Sequence, residues 1–173
     1  MISLVLLKKI TMKYFITVLF LLPLFVCAQD CQLKKGTDDM TSRPTLSTGF
    51  VAYDEFSLSL DANSKEIDFF FLVKTGSKCY DENSVVTVTF EGRNQKMEYK
   101  NTGGMNCDGV VHVIFKNLSF TISQLTRLAT KKAVSIGFTD NNGKVNTFSL
   151  SPQQQQLFMA NANCIANQAK TLL

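Results

Sequence analysis

Residues 84–100 read SVVTVTFEGRNQKMEYK, and how this stretch folds back on itself decides the fold. If Glu91 pairs with Asn94, the loop between them is Gly92-Arg93, two residues with glycine first. A type II′ hairpin turn needs that order, because its first position takes a positive φ. The same register sets Val88 against Met97 and Val86 against Tyr99 on one face. On the other face Thr89 meets Lys96 and Thr87 meets Glu98. Apolar side chains face apolar ones and polar face polar, so one side of the hairpin packs on a core and the other meets water.

Carried outward, this register places Cys79 across from Asn106, one residue from Cys107. A disulfide needs Cα atoms about 4.4–6.8 Å apart, which facing strand ends supply. The expectation is therefore Cys79 joined to Cys107, leaving Cys31 for Cys164. The second bridge would pin the N-terminal segment to the last helix.

Strand patterns continue on either side. FVAYDEFSLSL alternates at Phe56, Leu58 and Leu60, as a half-buried strand does. In EIDFFFLV, residues 66–73, Ile67, Phe69, Phe71 and Val73 share one face while Phe70 and Leu72 load the other. A strand greasy on both faces belongs in the middle of a sheet, because on an edge it invites aggregation. GVVHVIF, residues 109–115, is a second doubly apolar strand. Ile122, Leu125, Leu128 and Ala129 recur at helical spacing and predict a short helix near 122–130. AVSIGFT and VNTFSL flank DNNGK, a second hairpin around a turn-rich connector. SPQQ then opens a helix with Ser151 as N-cap, Pro152 at N1 and Gln154 at N3, running to about Thr171. Its expected inward stripe is Leu157, Phe158, Asn161, Cys164, Ile165, Ala169 and Leu172.

The N-terminus has the character of an export signal. Lys8, Lys9 and Lys13 precede an apolar run from Tyr14 to Val26, and no acid occurs before Asp30. That run is short of the roughly 20 residues a spanning helix needs, so no transmembrane anchor is expected. Ala28 and Val26 suit ordinary cleavage before Gln29, which discards Cys27. Lipoprotein processing at Cys27 is the alternative, and the bulky Val26 and Phe25 before it disfavour that route. Translation can begin at Met1 or Met12.

Cleavage changes the composition. Four cysteines remain, an even number in an exported chain, and two disulfides follow. The chain has 18 basic and 14 acidic residues, and three lysines leave with the leader, so the remainder carries 15 − 14 = +1. Nucleic-acid binding therefore has no compositional support. Of 14 phenylalanines, three lie in the leader, and there is no tryptophan. The remaining phenylalanines mostly alternate along strands and read as core; the alternative is a lined cavity for an apolar ligand.

Candidate chemistry is thin. His112 is the one histidine, and a catalytic base or metal ligand there competes with a structural role. A zinc site or cysteine nucleophile would need sulfurs already committed to bridges, and no G-x-S-x-G elbow occurs. Asp38-Asp39 and Asp81-Glu82 read as solvated loops, and Asp140 to Gly143 as a turn lacking the later ligands of a calcium loop. Gly103-Gly104 lacks the lysine of a phosphate loop. Gln153 to Gln156 reads as a solvated helix start, and Asn117-Leu118-Ser119 fits a glycosylation acceptor. No cofactor is implied.

The span AVSIGFTDNNGKVNTFSLSPQQQQLFMANANCIANQAK, Ala133 to Lys170, resembles the ending of many uncharacterised exported proteins of Bacteroidota. They too show a hairpin, a helix with a late cysteine and often a leader ending in Ala-Gln, as at Ala28-Gln29 here. The resemblance implies a Gram-negative periplasm or cell exterior and carries no catalytic or binding residue onto these positions.

The reading is an α+β chain: a signal peptide over 1–28, a polar N-terminal extension over 29–47, and one domain over 48–173. That domain holds a mostly antiparallel sheet of about six to eight strands, a short helix, and a long C-terminal helix packed on one face. The expected function is an exported, disulfide-stabilised, non-catalytic binding or envelope-accessory module, with an unknown protein or envelope component as partner. Alternatives are a periplasmic carrier of a small apolar ligand and a hydrolase using His112.

Overall fold

In the computed structural model, the described residues are 31–172, apart from 40, 75, 77 and 94. The signal-peptide, Cys27 and start-site readings all lie outside them. Ten strands run β1 (Lys34–Thr37), β2 (Pro44–Ser47), β3 (Val51–Ala52), β4 (Phe56–Ala62), β5 (Glu66–Val73), β6 (Val85–Phe90), β7 (Lys96–Lys100), β8 (Val110–Lys116), β9 (Ala133–Thr139) and β10 (Val145–Ser149). Helix α1 (Ser119–Thr130) lies between β8 and β9, and α2 (Pro152–Gln168) ends the chain, followed by a 3-10 turn over Ala169–Leu172. The class is α+β with antiparallel pairing throughout, a short helix and a long C-terminal one.

The strands divide between two sheets. One has the order β1-β2-β4-β5-β8, with β3 also on β4; the other is β10-β9-β6-β7. The 84–100 hairpin forms in the expected register, Val88 opposite Met97 and Val86 opposite Tyr99. Gly92 has φ +106°, the sign its turn position requires. Asn94 of that turn is not among the described residues.

Alternation along each strand sends one set of side chains between the sheets. Leu58 faces Phe71 and Leu60 faces Phe69 across β4–β5, and all four are buried. From the opposite sheet Phe138 meets Phe56 and Phe71 edge-on, with ring centroids 5.6 and 5.3 Å apart. Phe56, Phe69, Phe71, Phe90, Phe138 and Phe158 thus go into the core. Each such ring pair adds about 0.5–1.5 kcal/mol beyond its buried area.

The 29–47 segment is more than an arm. Its residues supply β1 and β2, which pair with each other and then with β4. These strands escape sequence patterning because β1 buries nothing and β2 buries only Leu46.

Helix α2 starts with the expected box: the Ser151 Oγ accepts from the Gln154 N–H, and Gln154 Oε1 accepts from the Ser151 N–H at 2.8 Å. Its buried stripe is Phe158, Ala162, Ile165, Ala166 and, beyond the helix, Ala169. Leu157 and Asn161 sit at its margin. Alanine positions let the helix backbone approach closely. It touches β2 and β4 of one sheet, β9 of the other, and α1. No helix among the described residues is long and apolar enough to cross a membrane.

The structure joins Cys31 to Cys164, with Cα atoms 5.4 Å apart, and Cys79 to Cys107. The second bridge depends on a one-residue slip. Tyr80, not Cys79, forms a two-way backbone bridge with Asn106, which brings Cys79 beside Cys107.

Candidate functional site

Strands β7 and β8 are the last strands of their sheets, and they end up side by side. Just past the end of β7 the backbone joins β8. The Thr102 N–H donates to the His112 carbonyl at 2.7 Å, and the Thr102 hydroxyl donates to the same oxygen. Asn101, buried between them, completes the join. Its Oδ1 accepts the His112 N–H at 2.8 Å and the Gly103 N–H, while its Nδ2 donates to the Asp81 and Gly103 carbonyls.

Beyond that join the strands part, and α1 lies across the gap. The result is an open cleft of about 720 Å³. One wall is Met97 to Lys100, a second is Val113 to Phe115, and the third is Ser123, Gln124 and Arg127 of α1. Tyr99 meets Phe115 edge-on at 5.2 Å, and its hydroxyl donates to the Met97 Sδ at 3.3 Å. Burial pushes the Tyr99 phenol above its ordinary range, and the Arg127 charge partly opposes this. That phenol is a neutral donor at physiological pH.

Arg127 is the unusual group. Its Nε is buried and has no hydrogen-bond partner among the described residues. Its guanidinium carbon lies 5.5 Å from the centroid of the Phe90 ring, a cation–π arrangement. The ion pairs among the described residues are Lys96–Glu98 and Lys132–Glu91, and Asp68 lies near His112, so no acid there pairs with Arg127. Lys96 holds the Glu98 carboxylate at 2.6 Å, which leaves Lys100 and Arg127 as the cleft's unbalanced charges. A partly buried guanidinium with an unused donor is an incomplete carboxylate or phosphate clamp.

His112 lies elsewhere, on the outer face of the β5–β8 sheet. Its ring stacks on Phe70, with centroids 3.8 Å apart and planes 16° off parallel. Its Nε2 stands 3.6 Å from the Asp68 Oδ1, and neither buried atom has a hydrogen bond. Burial first, then Glu66 and Asp61, pushes Asp68 up to about 6. Burial lowers His112, with Glu66 and Asp61 pulling the other way. The serine in its cross-strand row, Ser59, is separated from it by Phe70 and donates to Asp61 instead. Ser59 and His112 therefore form no nucleophile–base pair.

The other polar motifs serve turns and packing. Asp81 Oδ1 accepts the Asn83 and Ser84 N–H groups, and Asp140 Oδ1 accepts those of Asn142 and Lys144. Asn117 is buried, with its Nδ2 donating to the Asn63 and Ala169 carbonyls, so its amide is closed to a glycosyl donor in the fold. Gln155 donates to the Leu150 carbonyl beside the cap of α2.

Sequence reasoning passed over Arg127, Lys100 and Tyr99. One signal was readable: SFTISQLTRLAT contains no acid, so Arg127 flanks an apolar stripe without an i±4 carboxylate to pair with. Comparison of the chain with protein-family models, with curated proteins and with solved structures finds no match in any of the three.

Proposed function

We propose that this chain is an exported, non-catalytic binding module whose cleft between α1, β7 and β8 holds a carboxylate-bearing partner. The carrying observation is the Arg127 Nε, buried in the protein and unpartnered among the described residues. Leaving such a donor unpaired costs about 1–3 kcal/mol, and no acid among the described residues neutralises the guanidinium that lines the cleft. Lys100 adds charge from the β7 wall, and Met97, Ile114 and Phe115 offer apolar surface to the body of the ligand. Two disulfides fit an oxidising compartment outside the cytoplasm. One of them, Cys79–Cys107, ties the segments that lead into β6 and β8 and so braces the cleft's closed end.

The test is fluorescence anisotropy with a labelled acidic hexapeptide of alternating valine and aspartate, against its valine–lysine counterpart. The acidic peptide binds in preference, its affinity falls with added salt, and Arg127→Gln weakens it about 10-fold or more, as expected for a charge-assisted hydrogen bond. Lys100→Gln, on an exposed side chain, gives a smaller loss without touching the fold. Equal binding of both peptides, or full affinity in Arg127→Gln, refutes the assignment.

A further inference from the structure

The proposed cleft also carries a backbone signature that says what form the carboxylate-bearing partner takes. In an antiparallel pair, residues alternate between directing both backbone groups at their neighbour and directing both away. On β7 the Phe90 N–H donates to the Gln95 carbonyl and the Asn101 N–H to the Ser84 carbonyl. Odd-numbered residues of β7 therefore face β6, and Glu98 and Lys100 turn their N–H and C=O groups away from it, to the open edge. On β8 the Val73 N–H donates to the Gly109 carbonyl and the Asn117 N–H to the Lys65 carbonyl. Even-numbered residues of β8 therefore face outward.

Most of those outward groups are occupied. Asn106 takes both backbone groups of Val110, its Oδ1 accepting the N–H and its Nδ2 donating to the C=O. Asn101 and Thr102 take both groups of His112. The Thr121 hydroxyl donates to the Lys116 carbonyl. Ile114 is the exception, since neither of its edge groups has a partner among the described residues. Had β7 and β8 gone on pairing past Thr102–His112, Lys100 and Ile114 would form the next rung. The strands separate at that rung instead, and the cleft opens there.

We infer that an extended, acidic polypeptide segment of a partner protein adds as a strand at this open rung. Its backbone pairs with the edge at Glu98, Lys100 and Ile114, and an acidic side chain reaches Arg127. Unpaired strand edges select an extended peptide through main-chain hydrogen bonds, and the unbalanced Lys100 and Arg127 select its sign. This inference rests on the proposed carboxylate-binding cleft and deepens it.

The experiment compares the acidic hexapeptide with two versions methylated on alternate backbone nitrogens, one in each phase. Every side chain is kept, and only edge-pairing donors are lost. Binding to the full disulfide-bonded protein is read by anisotropy, and amide hydrogen exchange is followed by NMR. In at least one phase methylation weakens binding 10-fold or more, and exchange at Glu98, Lys100 and Ile114 slows when the parent peptide is bound. If both methylated peptides bind like the parent and those amides exchange unchanged, strand addition is wrong while the carboxylate cleft stands. If the parent peptide fails to bind at all, both fall. Concentration-dependent protection of the same amides without peptide, together with a dimer in sedimentation, assigns the edge to a second copy and also overturns the inference.

Discussion

Replacing Asp68 by asparagine should stabilise the protein at neutral pH and leave it nearly unchanged at pH 4. Asp68 lies on the outer sheet face directly opposite Asp61, and its Oδ1 is buried without a hydrogen bond. Burial, Glu66 and Asp61 together push it up to about 6 from 3.8. Two pK units correspond to roughly 3 kcal/mol, and local relaxation brings the usable figure to about 1–3 kcal/mol. The sign follows from proton counting. A carboxyl whose folded value exceeds its unfolded value holds more protons when folded between about pH 4 and 6. Its stabilising contribution is thus present in acid and is lost as the pH rises through about 6. An asparagine side chain carries no such dependence, so Asp68→Asn gains about 1–3 kcal/mol at pH 7.5 and close to nothing at pH 4. His112 works in the opposite direction: its folded value is lowered, so stability falls as the pH drops below about 6.5. The two slopes oppose each other in the wild type, and the variant exposes the histidine's alone. Urea denaturation followed by circular dichroism at the two pH values measures this. A variant less stable at pH 7.5, or equally stabilised at both, refutes the account of Asp68 as a buried, repelled carboxylate.

Asn101→Ala should cost about 3–5 kcal/mol, because it strands the His112 N–H, both Gly103 groups and the Asp81 carbonyl, at about 1–3 kcal/mol apiece before water enters. A loss under 1 kcal/mol in urea, or unchanged amide exchange at His112, would show that the join between β7 and β8 is held otherwise. Serine substitution of each cysteine pair should destabilise by up to about 5 kcal/mol for Cys31–Cys164, whose sequence separation is 133, and about 3.5 kcal/mol for Cys79–Cys107, separation 28, in the chain-entropy model. Mass spectrometry of the unreduced protein checks the pairing first; a Cys79–Cys164 linkage would overturn it.

What could be read from sequence was whatever a strict side-chain period enforces. The 84–100 hairpin was legible because a one-residue slip would have turned Val86, Val88, Met97 and Tyr99 to water. Outside the hairpin that enforcement ends, and the register slips to place Tyr80 opposite Asn106. The capping box at Ser151 was legible because its groups are local. The inward stripe of α2 was only partly so, since Ala162 and Ala166 bury little area and give no hydrophobic signal. Strands β1 and β2 were hidden for a related reason: their contribution is backbone pairing, which leaves no trace in side-chain pattern. The division into two sheets was equally hidden, because a half-buried strand reads the same in either. Of the cleft, only the acid-free surroundings of Arg127 were visible; that β7 and β8 would both be edges, and adjacent, depends on long-range pairing.

Strand β8 shows why the open rung is a meaningful feature. Its outer-face residues Val110 and Ile114 are apolar and its inner Val111 and Val113 are buried, a composition that on a bare edge promotes uncontrolled association. The chain answers with specific blocks: Asn106 over Val110, Asn101 with Thr102 over His112, and Thr121 on Lys116. Gly109 serves the same edge from the inside. At φ +81°, an added Cβ there would lie 2.3 Å from the Val73 carbonyl oxygen, so only glycine lets β8 close onto β5 at its start. At three of the four outward positions residues from three different segments take one or both backbone groups, and the fourth, Ile114, opens into the cleft that Lys100 and Arg127 line. An edge blocked along most of β8 but open beside Lys100 and Arg127 is what a site for a charged, extended partner requires, because charge admits the acidic segment and the blocks turn other strands away.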